Sequence, residues 1–524
     1  MLLRIIALYG CFFFFLFSAI RIFFVVKRRS LKRQLGCRVD ENVLAFFHPY
    51  CASGGGGERV LWVGIKALFE SSTAFKHIVI YAGDEGLSKL DILSHVKNRF
   101  AIDFTSEEAH RLHIITIKSR SLLEAKWYPV GTMFFQSLAS ALVGLECVIK
   151  FTPDVFCDTM GAAFTYPVVH YLSGAVIVAY VHYPIISTDM LQKVRDQRPS
   201  YNNASAIASS VTISSIKLIY YQMFALAYSW AGQHAQVVMV NSSWTMQHVK
   251  QLWWGETNSS SISEVTKSRK RKSGSMRGRN LALVYPPCNT TELLAMDNSI
   301  DRDDRERNKS KVTPGGKREG KEKGKCSISG KRIILSIGQF RPEKDHMLQI
   351  RAMKCLLDTY PCAFDDAELV VMGSTRHNED IVLLESLKAE VERLNLQHNV
   401  RFIANGAYSE LQTYMKKASI GIHTMWNEHF GISVVEMMAA GLIVVAHNSG
   451  GPKMDIIPHP SGSCSLICGY LAEKPEEYAH AIAEILNNTE AHRSMQARAK
   501  VAVTRFSDEV FGEKFVAQLE NAVR

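Results

Sequence analysis

The fold is decided by residues 420–455, which read IGIHTMWNEHFGISVVEMMAAGLIVVAHNSGGPKMD. The apolar runs 420–423 and 443–446 are typical of buried strands. Between them, the residues 430–433 form a turn signal that opens an apolar helix. A strand, a crossover helix and a second strand are the repeating unit of a parallel sheet. We therefore predict an α/β fold.

Comparable apolar runs recur on both sides of this stretch, with helical segments between them. Strands that are buried on both faces have this near-continuous apolar character. The runs therefore predict two Rossmann-like, doubly wound domains. The runs lie at 42–47, 77–81, 113–117, 175–180 and 237–240 in the first half, and at 332–338, 368–372, 400–403, 420–423 and 443–446 in the second half.

The composition excludes several classes of protein. The chain has 524 residues, of which 47% are hydrophobic and 21% are charged, so it can build large cores. This excludes a disordered chain, a disulfide-rich miniprotein and a collagen-like repeat. The eleven cysteines are scattered without a CxxC pair. They indicate thiols in a reducing compartment, and we expect no metal cluster.

The net charge of +11 raises the question of nucleic-acid binding. The excess lies in three short segments, 27–38, 256–280 and 299–331, and the remainder of the chain is weakly acidic. A basic face on a folded domain would be needed for a nucleic-acid footprint. We therefore expect no nucleic-acid partner. A binder that uses the two basic insertions stays as an alternative.

The amino terminus predicts a membrane anchor. Residues 5–26 are apolar apart from Arg21, and such a helix spans roughly 33 Å, enough to cross a bilayer core. The basic collar 27–38 follows it, which places the rest of the chain on the cytosolic side. A cleaved signal peptide is the alternative, but its basic flank would precede the apolar run.

Two further apolar stretches, 130–149 and 211–230, contain polar residues and are not clean spans. We interpret them as core helices. A helix that lies against the membrane surface is the alternative.

The predicted domain boundaries follow from these patterns. They are a membrane anchor and collar at 1–38, a first Rossmann-like domain at 39–290 with a disordered insertion at about 256–280, a disordered linker at 291–331, a second Rossmann-like domain at 332–505, and a C-terminal helix at 506–524.

Two carboxylates eight residues apart are the strongest chemical signal. Glu428 lies in the loop above a predicted strand end, and Glu436 lies about one turn into the following helix. Open α/β sheets bind ligands at this edge, and a helix amino terminus suits a diphosphate. Carboxylates also accept hydrogen bonds from sugar diols. Solvated surface glutamates are the alternative interpretation.

This array resembles the retaining nucleotide-sugar glycosyltransferases of the GT-B fold, whose donor site carries a Glu-x7-Glu motif. The resemblance implies two Rossmann-like domains facing a cleft. It extends over roughly 42–520, and the segments that carry it, besides 426–436, are 240–245, 284–287 and 440–452.

More narrowly, residues 47–62, FHPYCASGGGGERVLW, resemble the GDP-mannose-dependent α-1,2-mannosyltransferases of dolichol-linked oligosaccharide assembly. Residues 180–184 and 447–455 agree with that family. The resemblance implies transfer of the fourth and fifth mannoses from GDP-mannose to a five-sugar dolichol-linked acceptor. It also implies a single-pass protein of the endoplasmic reticulum membrane with cytosolic catalytic domains, in contact with membrane lipids and with other enzymes of the pathway as candidate partners.

The resemblance also implies roles for individual residues. Lys344 matches a lysine that contacts the donor phosphates, Glu428 and His182 match residues beside the donor hexose, and Glu436 matches a ribose-binding glutamate. The family arginine is replaced by Gln339, and Arg341 follows two residues later. The implied catalytic residues are Glu428, His182 and Lys344, and the implied donor-binding residues are Gly55, Gly56, Gly57, Arg341, Lys344, Glu428, Phe430, Gly431, Ile432 and Glu436.

No cofactor and no metal are expected. The triplet Asp301-Arg302-Asp303 resembles a metal motif of another glycosyltransferase fold, but it lies in a charged segment with no preceding strand. Two alternatives to the main interpretation remain. One is a GT-B transferase with another donor or acceptor, and the other is a catalytically silent nucleotide-sugar-binding scaffold.

Overall fold

The computed structural model describes residues 2–38, 40–84, 86–186, 211–255, 280–296, 331–458 and 467–524. The chain divides into two compact units. Unit 1 comprises Met1–Pro287 with Glu509–Arg524, and unit 2 comprises Cys288–Asp508. The predicted insertion at 256–280, except Asn280, and the charged segment 299–330 with its Asp301-Arg302-Asp303 triplet lie outside the described residues.

Unit 1 is built on a seven-stranded parallel sheet with the order β3-β2-β1-β4-β5-β6-β7. Its strands are β1 (Asn42–Phe47), β2 (Phe75–Ala82), β3 (Leu112–Thr116), β4 (Val155–Asp158), β5 (Val176–Val181), β6 (Val237–Val240) and β7 (Asn280–Leu283). Its helices are α1 (Leu2–Gln34), α2 (Gly56–Ser71), α3 (Lys89–Phe100), α4 (Ser106–Arg111), α5 (Thr132–Lys150), α6 (Thr165–Ser173), α7 (Val211–Gly232) and α8 (Ser243–Val249).

Unit 2 is built on a six-stranded parallel sheet with the order β10-β9-β8-β11-β12-β13. Its strands are β8 (Arg332–Ile337), β9 (Ala367–Gly373), β10 (Val400–Ala404), β11 (Ile420–His423), β12 (Ile443–His447) and β13 (Tyr470–Ala472). Its helices are α9 (Thr290–Leu294), α10 (His346–Thr359), α11 (Asn378–Arg393), α12 (Tyr408–Lys417), α13 (Ile432–Ala439), α14 (Pro475–Asn487) and α15 (Thr489–Val503).

The stretch that decided the fold forms the predicted unit. Strands β11 and β12 are parallel neighbours, with Ile420 opposite Ile443, and α13 connects them. All ten predicted runs are strands, with ends that differ by one or two residues. Three strands, β4, β7 and β13, were not predicted.

The C-terminal helix α16 (Asp508–Asn521) belongs almost entirely to unit 1. Phe515 is fully buried, and its ring centroid lies 6.3 Å from that of Phe46 on β1. Gly64 on α2 makes room for this ring, because a Cβ at Gly64 would lie 2.7 Å from Phe515 Cε1. The last helix of the chain is therefore part of the core of the first sheet.

The predicted anchor and the basic collar as far as Gln34 form one continuous helix, α1. Its second half packs on unit 1, where Phe24 is buried. Lys32 Nζ and Arg28 Nη1 lie 2.8 and 3.4 Å from the carboxylate of Asp154. Part of the collar charge is therefore balanced within the protein.

Helices α5 and α7 are apolar on their exposed faces as well as in the core. By length and composition, α5 could cross a membrane, and 39% of its most apolar window is buried. It buries small side chains such as Ser140 and Gly144. The core-helix interpretation therefore holds for one face only. The large apolar side chains exposed on the other faces are Phe134, Phe135, Leu138, Leu142 and Ile149 on α5 and Ile219, Met223, Leu226 and Trp230 on α7.

We expect Phe515→Ala to lower the free energy of unfolding by about 3–5 kcal/mol, because it leaves a cavity under the first sheet. Urea unfolding followed by tryptophan fluorescence measures this change. Glu513→Ala, at an exposed position of the same helix, is the matched control and should be nearly neutral. Equal effects of the two substitutions would contradict the packing of α16.

Candidate active site

The carboxyl edge of the second sheet brings the predicted residues Lys344 and Glu428 together. Lys344 Nζ lies 2.5 Å from Glu428 Oε2. His423, the last residue of β11, places its Nε2 3.2 Å from the same oxygen. The two side chains of the ion pair are 23% and 14% exposed, so the pair lies at the surface of the unit but is largely shielded from water.

A short hydrogen-bonded chain joins the two loops that carry this pair. The hydroxyl of Thr424, directly after β11, donates to the backbone carbonyl of Lys344 at 2.8 Å. The amide of Gln349 on α10 donates to the Thr424 hydroxyl at 2.9 Å. The loop after β8 and the loop after β11 are therefore fixed to each other, which sets the distance between the cation and the carboxylate.

Gly450 and Gly451 pack against the backbone of Glu428. The N–H of Gly451 donates to the carbonyl of Glu428 at 2.7 Å. A Cβ at Gly450 would lie 2.2 Å from that carbonyl oxygen, and a Cβ at Gly451 would lie 2.3 Å from the carbonyl oxygen of Phe430. Only glycine fits at these two positions.

Charge keeps Glu428 ionised. Burial by itself raises the pKa of Glu428, but the positive charge of Lys344 and the hydrogen bond from His423 hold the pKa well below its usual range. Glu428 is therefore a hydrogen-bond acceptor at neutral pH and not a proton donor.

Helix α13 begins directly after this loop. Its amino-terminal cap is Gly431 with φ of +112°, a conformation that favours glycine. Ile432 is the first helical residue, and its N–H belongs to a first turn that is electropositive. Glu436, predicted one turn into the helix, is the fifth helical residue and is half-buried.

Phe430 and Arg341 take positions that the sequence did not settle. The Phe430 side chain is 2% exposed and packs edge-on against Phe506 at 5.2 Å. Its predicted donor contact can therefore come only from its backbone. Arg341 Nε lies 4.0 Å from Asp380 Oδ1, so its guanidinium has a carboxylate partner in this structure.

In unit 1, the glycine loop and His182 lie against each other at the carboxyl edge of the first sheet. A Cβ at Gly57 would lie 3.6 Å from His182 Nε2. Helix α2 starts at Gly56, so Gly56 and Gly57 present first-turn N–H groups. The N–H of Gly55 donates to Glu58 Oε2 at 2.6 Å. The N–H of Gly55 is therefore hydrogen-bonded to Glu58 in this structure, and the role of Gly55 at the donor stays a prediction.

Sequence reasoning missed His48 and Thr159. His48 is fully buried, with Nδ1 2.8 Å from the Thr159 hydroxyl and Nε2 3.5 Å from Glu58 Oε1. His182 Nε2 lies 3.1 Å from the Thr159 carbonyl, so this threonine connects both histidines. The sequence signal that could have identified this pair is the position of His48 and His182, because each directly follows a strand.

Within the described ranges, no group of three or more His, Cys, Asp or Glu side chains is arranged to hold a metal ion. The chemistry available at the two edges is hydrogen bonding, anion binding and charge stabilisation.

We expect Lys344→Met to lower the free energy of unfolding at pH 7 by roughly 2 kcal/mol, because Glu428 keeps its burial but loses its cation. In the wild type, the low pKa of Glu428 contributes stability above the unfolded value of about 4.3, and this is lost as the pH falls. In the variant, burial raises that pKa, so ionisation becomes costly as the pH rises. The difference between the two proteins should therefore grow from pH 4 to pH 7.

Urea unfolding at both pH values measures this difference. Lys354→Met, which removes the exposed pair with Asp358, is the matched control and should change the free energy by less than about 1 kcal/mol. A Lys344→Met effect that is the same at pH 4 and pH 7 would show that Glu428 is not held by this cation.

Several solved structures share this architecture. They include Anabaena Alr3699/HepE in complex with UDP and glucose (14% identity, TM-score 0.56, covering 92% of this chain and 100% of that one). They also include sucrose-phosphate synthase from Thermosynechococcus elongatus (15% identity, TM-score 0.59, covering 92% and 99%). At this identity the likeness shows the fold alone. The predicted α/β architecture of the GT-B type is confirmed.

Sequence relatives define the family. Residues 41–253 match the model of the ALG11 mannosyltransferase N-terminus, and residues 318–502 match that of glycosyl transferases group 1. Proteins named GDP-Man:Man(3)GlcNAc(2)-PP-Dol alpha-1,2-mannosyltransferase from Mus musculus and Homo sapiens are each 40% identical to the chain, covering 92% of it and 87% of their own length. The Dictyostelium discoideum protein of that name is 37% identical, covering 92% and 85%. The chain belongs to the family of GDP-Man:Man(3)GlcNAc(2)-PP-Dol alpha-1,2-mannosyltransferases.

Proposed function

We propose that the chain transfers mannose from GDP-mannose in α-1,2 linkage to Man(3)GlcNAc(2)-PP-dolichol, adding the fourth and fifth mannoses. The observation that carries this proposal is the 40% identity to relatives named for that reaction over 92% of the chain. The ion pair of Lys344 and Glu428 at the carboxyl edge of the second sheet supplies a matching chemistry.

The donor diphosphate is assigned to Lys344 and to the first turn of α13. During transfer, the enzyme must stabilise the negative charge that develops on the leaving diphosphate. Lys344 supplies a cation, and the first-turn N–H groups that follow Gly431 supply oriented dipoles. Arg341 lies on the same loop as Lys344 and would have to leave Asp380 to reach a phosphate.

The sugar hydroxyls of the donor are assigned to the two carboxylates. Glu428 is ionised and accepts hydrogen bonds, which suits the diol of the transferred hexose. Glu436 is half-buried on α13 and suits the ribose diol. We assign no nucleophile, so the route by which the anomeric configuration is retained stays open.

In unit 1, His182 and the N–H groups of Gly56 and Gly57 are assigned to the transferred sugar. Their mutual placement supports this, since His182 Nε2 would be 3.6 Å from a Cβ at position 57. His48 and Thr159 position His182 through the carbonyl of Thr159. A side chain at position 57 would reduce the space in front of the imidazole.

We assign residues 39–290 as the acceptor domain and residues 332–505 as the nucleotide-sugar domain. We assign α1 as a single membrane-spanning anchor of the endoplasmic reticulum, with both domains in the cytosol. The exposed apolar side chains of Phe14, Phe15 and Leu16 on α1, followed by the basic residues 27–29, support this orientation.

The exposed faces of α5 and α7 are assigned to the membrane surface. Phe134 donates its backbone N–H to the Tyr220 hydroxyl at 3.1 Å, so the two helices are neighbours. Five large apolar side chains on α5 and four on α7 are exposed. Exposed apolar faces of this kind are characteristic of a lipid or protein interface. It would bring the acceptor domain to the lipid that carries its substrate.

A product assay tests the reaction. The purified chain is incubated with GDP-mannose and the five-sugar dolichol-linked acceptor, and the released glycan is weighed by mass spectrometry. We expect a gain of two hexoses that an α-1,2-mannosidase removes. An unchanged glycan mass, from protein with a native unfolding transition, would contradict the proposed donor or acceptor.

Glu436→Gln and Glu428→Gln should each lower kcat/KM by roughly 10- to 100-fold, because each removes hydrogen bonds to a charged group worth about 1.5–3 kcal/mol. Glu385→Gln, on the exposed face of α11, is the control and should stay within about twofold of the wild type. Full activity of Glu436→Gln would remove this glutamate from the donor site.

The membrane assignment predicts a selective defect. The double substitution Leu138→Glu/Leu142→Glu should reduce transfer to a dolichol-linked acceptor in vesicles, because two charges on α5 oppose contact with the bilayer. Transfer to a short-chain acceptor in detergent should be unchanged. Leu90→Glu, at an exposed apolar position on α3, should affect neither. Equal loss in detergent and in vesicles would indicate misfolding or a catalytic role.

A further inference from the structure

Unit 1 contains an open cavity of about 380 Å³ at the amino edge of its sheet. The cavity lies where α6 and α7 end, just before β5 and β6 begin. His182 follows β5 at the opposite edge, roughly 20 Å away for a six-residue strand. The cavity is therefore separate from the candidate active site. The polar and aromatic side chains that line it are His170, Tyr171, Trp230, Gln233, His234 and Gln236.

One wall of the cavity is fixed by internal hydrogen bonds. His234 places Nδ1 3.0 Å from the carbonyl of Trp230 and Nε2 3.1 Å from the hydroxyl of Tyr171. On the neighbouring wall, the side chain of His170 is half-buried. The cavity is thus bordered by a rigid aromatic frame.

Arg21 on α1 lies near this cavity. A Cβ at Gly174 would lie 3.1 Å from Arg21 Nη2, and Gly174 follows α6 directly with φ of +68°. The ring of Phe17, one turn earlier on α1, lies 6.5 Å from Tyr171. Burial is the main cause that lowers the pKa of His170, and the positive charges of His234 and Arg21 act in the same direction.

Arg21 is the single charged residue within the apolar stretch 5–26. A cation in such a segment is costly unless it meets an anion, and it marks a functional site more often than not. Among the described residues, Arg21 forms no ion pair. An anionic ligand in the adjacent cavity would supply the missing partner.

An apolar stripe leads to the same cavity. On α7, Ile219, Met223, Leu226 and Trp230 are 57%, 66%, 48% and 51% exposed. Their spacing of four, three and four residues places them on one face of the helix. The last of them, Trp230, is also a cavity wall. An apolar stripe that ends at a polar cavity with Arg21 nearby matches a lipid with a phosphate at one end.

We propose that this cavity binds the phosphate of a membrane lipid, with Arg21 as its counter-ion and the lipid chain along the α7 stripe. This inference rests on the proposed membrane anchorage by α1. Two lipids carry the required chemistry, an anionic phospholipid and a polyprenyl phosphate such as the lipid part of the acceptor. Zwitterionic phosphatidylcholine should not be retained.

Native mass spectrometry of the full chain in detergent tests the site. The protein is equilibrated with phosphatidic acid, dolichyl phosphate or phosphatidylcholine, and bound lipids are counted per chain. We expect one phosphate-bearing lipid to be retained, at least tenfold over phosphatidylcholine, and Arg21→Gln to abolish this preference. In a mixture of phosphatidic acid and dolichyl phosphate, the lipid that displaces the other identifies the source of the bound phosphate.

Arg29→Gln is the matched control, because Arg29 is an exposed cation on the same helix. It should keep the preference. Equal retention of the phosphate-bearing lipid by wild type and Arg21→Gln would overturn the proposed site. So would an equal loss of this lipid in Arg21→Gln and Arg29→Gln. Transfer to a short-chain acceptor in detergent is measured on the same samples. Its loss in the wild type would contradict the proposed reaction, whereas lipid retention reports on the cavity alone.

Discussion

The close packing of Gly450 and Gly451 beneath Glu428 is the constraint on which the candidate site depends. Two backbone segments approach so closely that a Cβ at either glycine would overlap a carbonyl oxygen. The N–H of Gly451 then fixes the Glu428 carbonyl at 2.7 Å. Because these contacts fix the backbone of Glu428, the position of its carboxylate next to Lys344 does not depend on the rotamer preference of the side chain alone.

The ion pair then sets the chemical character of the site. A carboxylate in a largely buried position would ordinarily become neutral, but Lys344 and His423 keep the pKa of Glu428 well below its usual range. Unit 1 shows a different case, because Arg21 is an exposed cation near a cavity and forms no ion pair among the described residues.

Sequence patterns predicted the strands that read as continuous apolar runs, and most of these are buried along their length. They missed β4, β7 and β13 for local reasons. β4 has four residues and contains a cysteine and an aspartate, β7 borders the serine- and lysine-rich insertion, and β13 has three residues. Such short segments gain their hydrogen bonds from a neighbouring strand, so their own composition carries little signal.

The sequence by itself determined the two parallel sheets, the position of Glu428 and Glu436 around a helix start, and the apolar amino-terminal stretch, because periodicity and turn residues are local properties of the chain. Only the tertiary structure decided that Lys344 meets Glu428 across 84 residues, that the last helix completes the first core, and that Phe430 turns inward. It also decided that α5 and α7 present apolar faces to the exterior. The physical reason is that which face of an element is covered depends on its neighbours in space, and local sequence does not encode those neighbours.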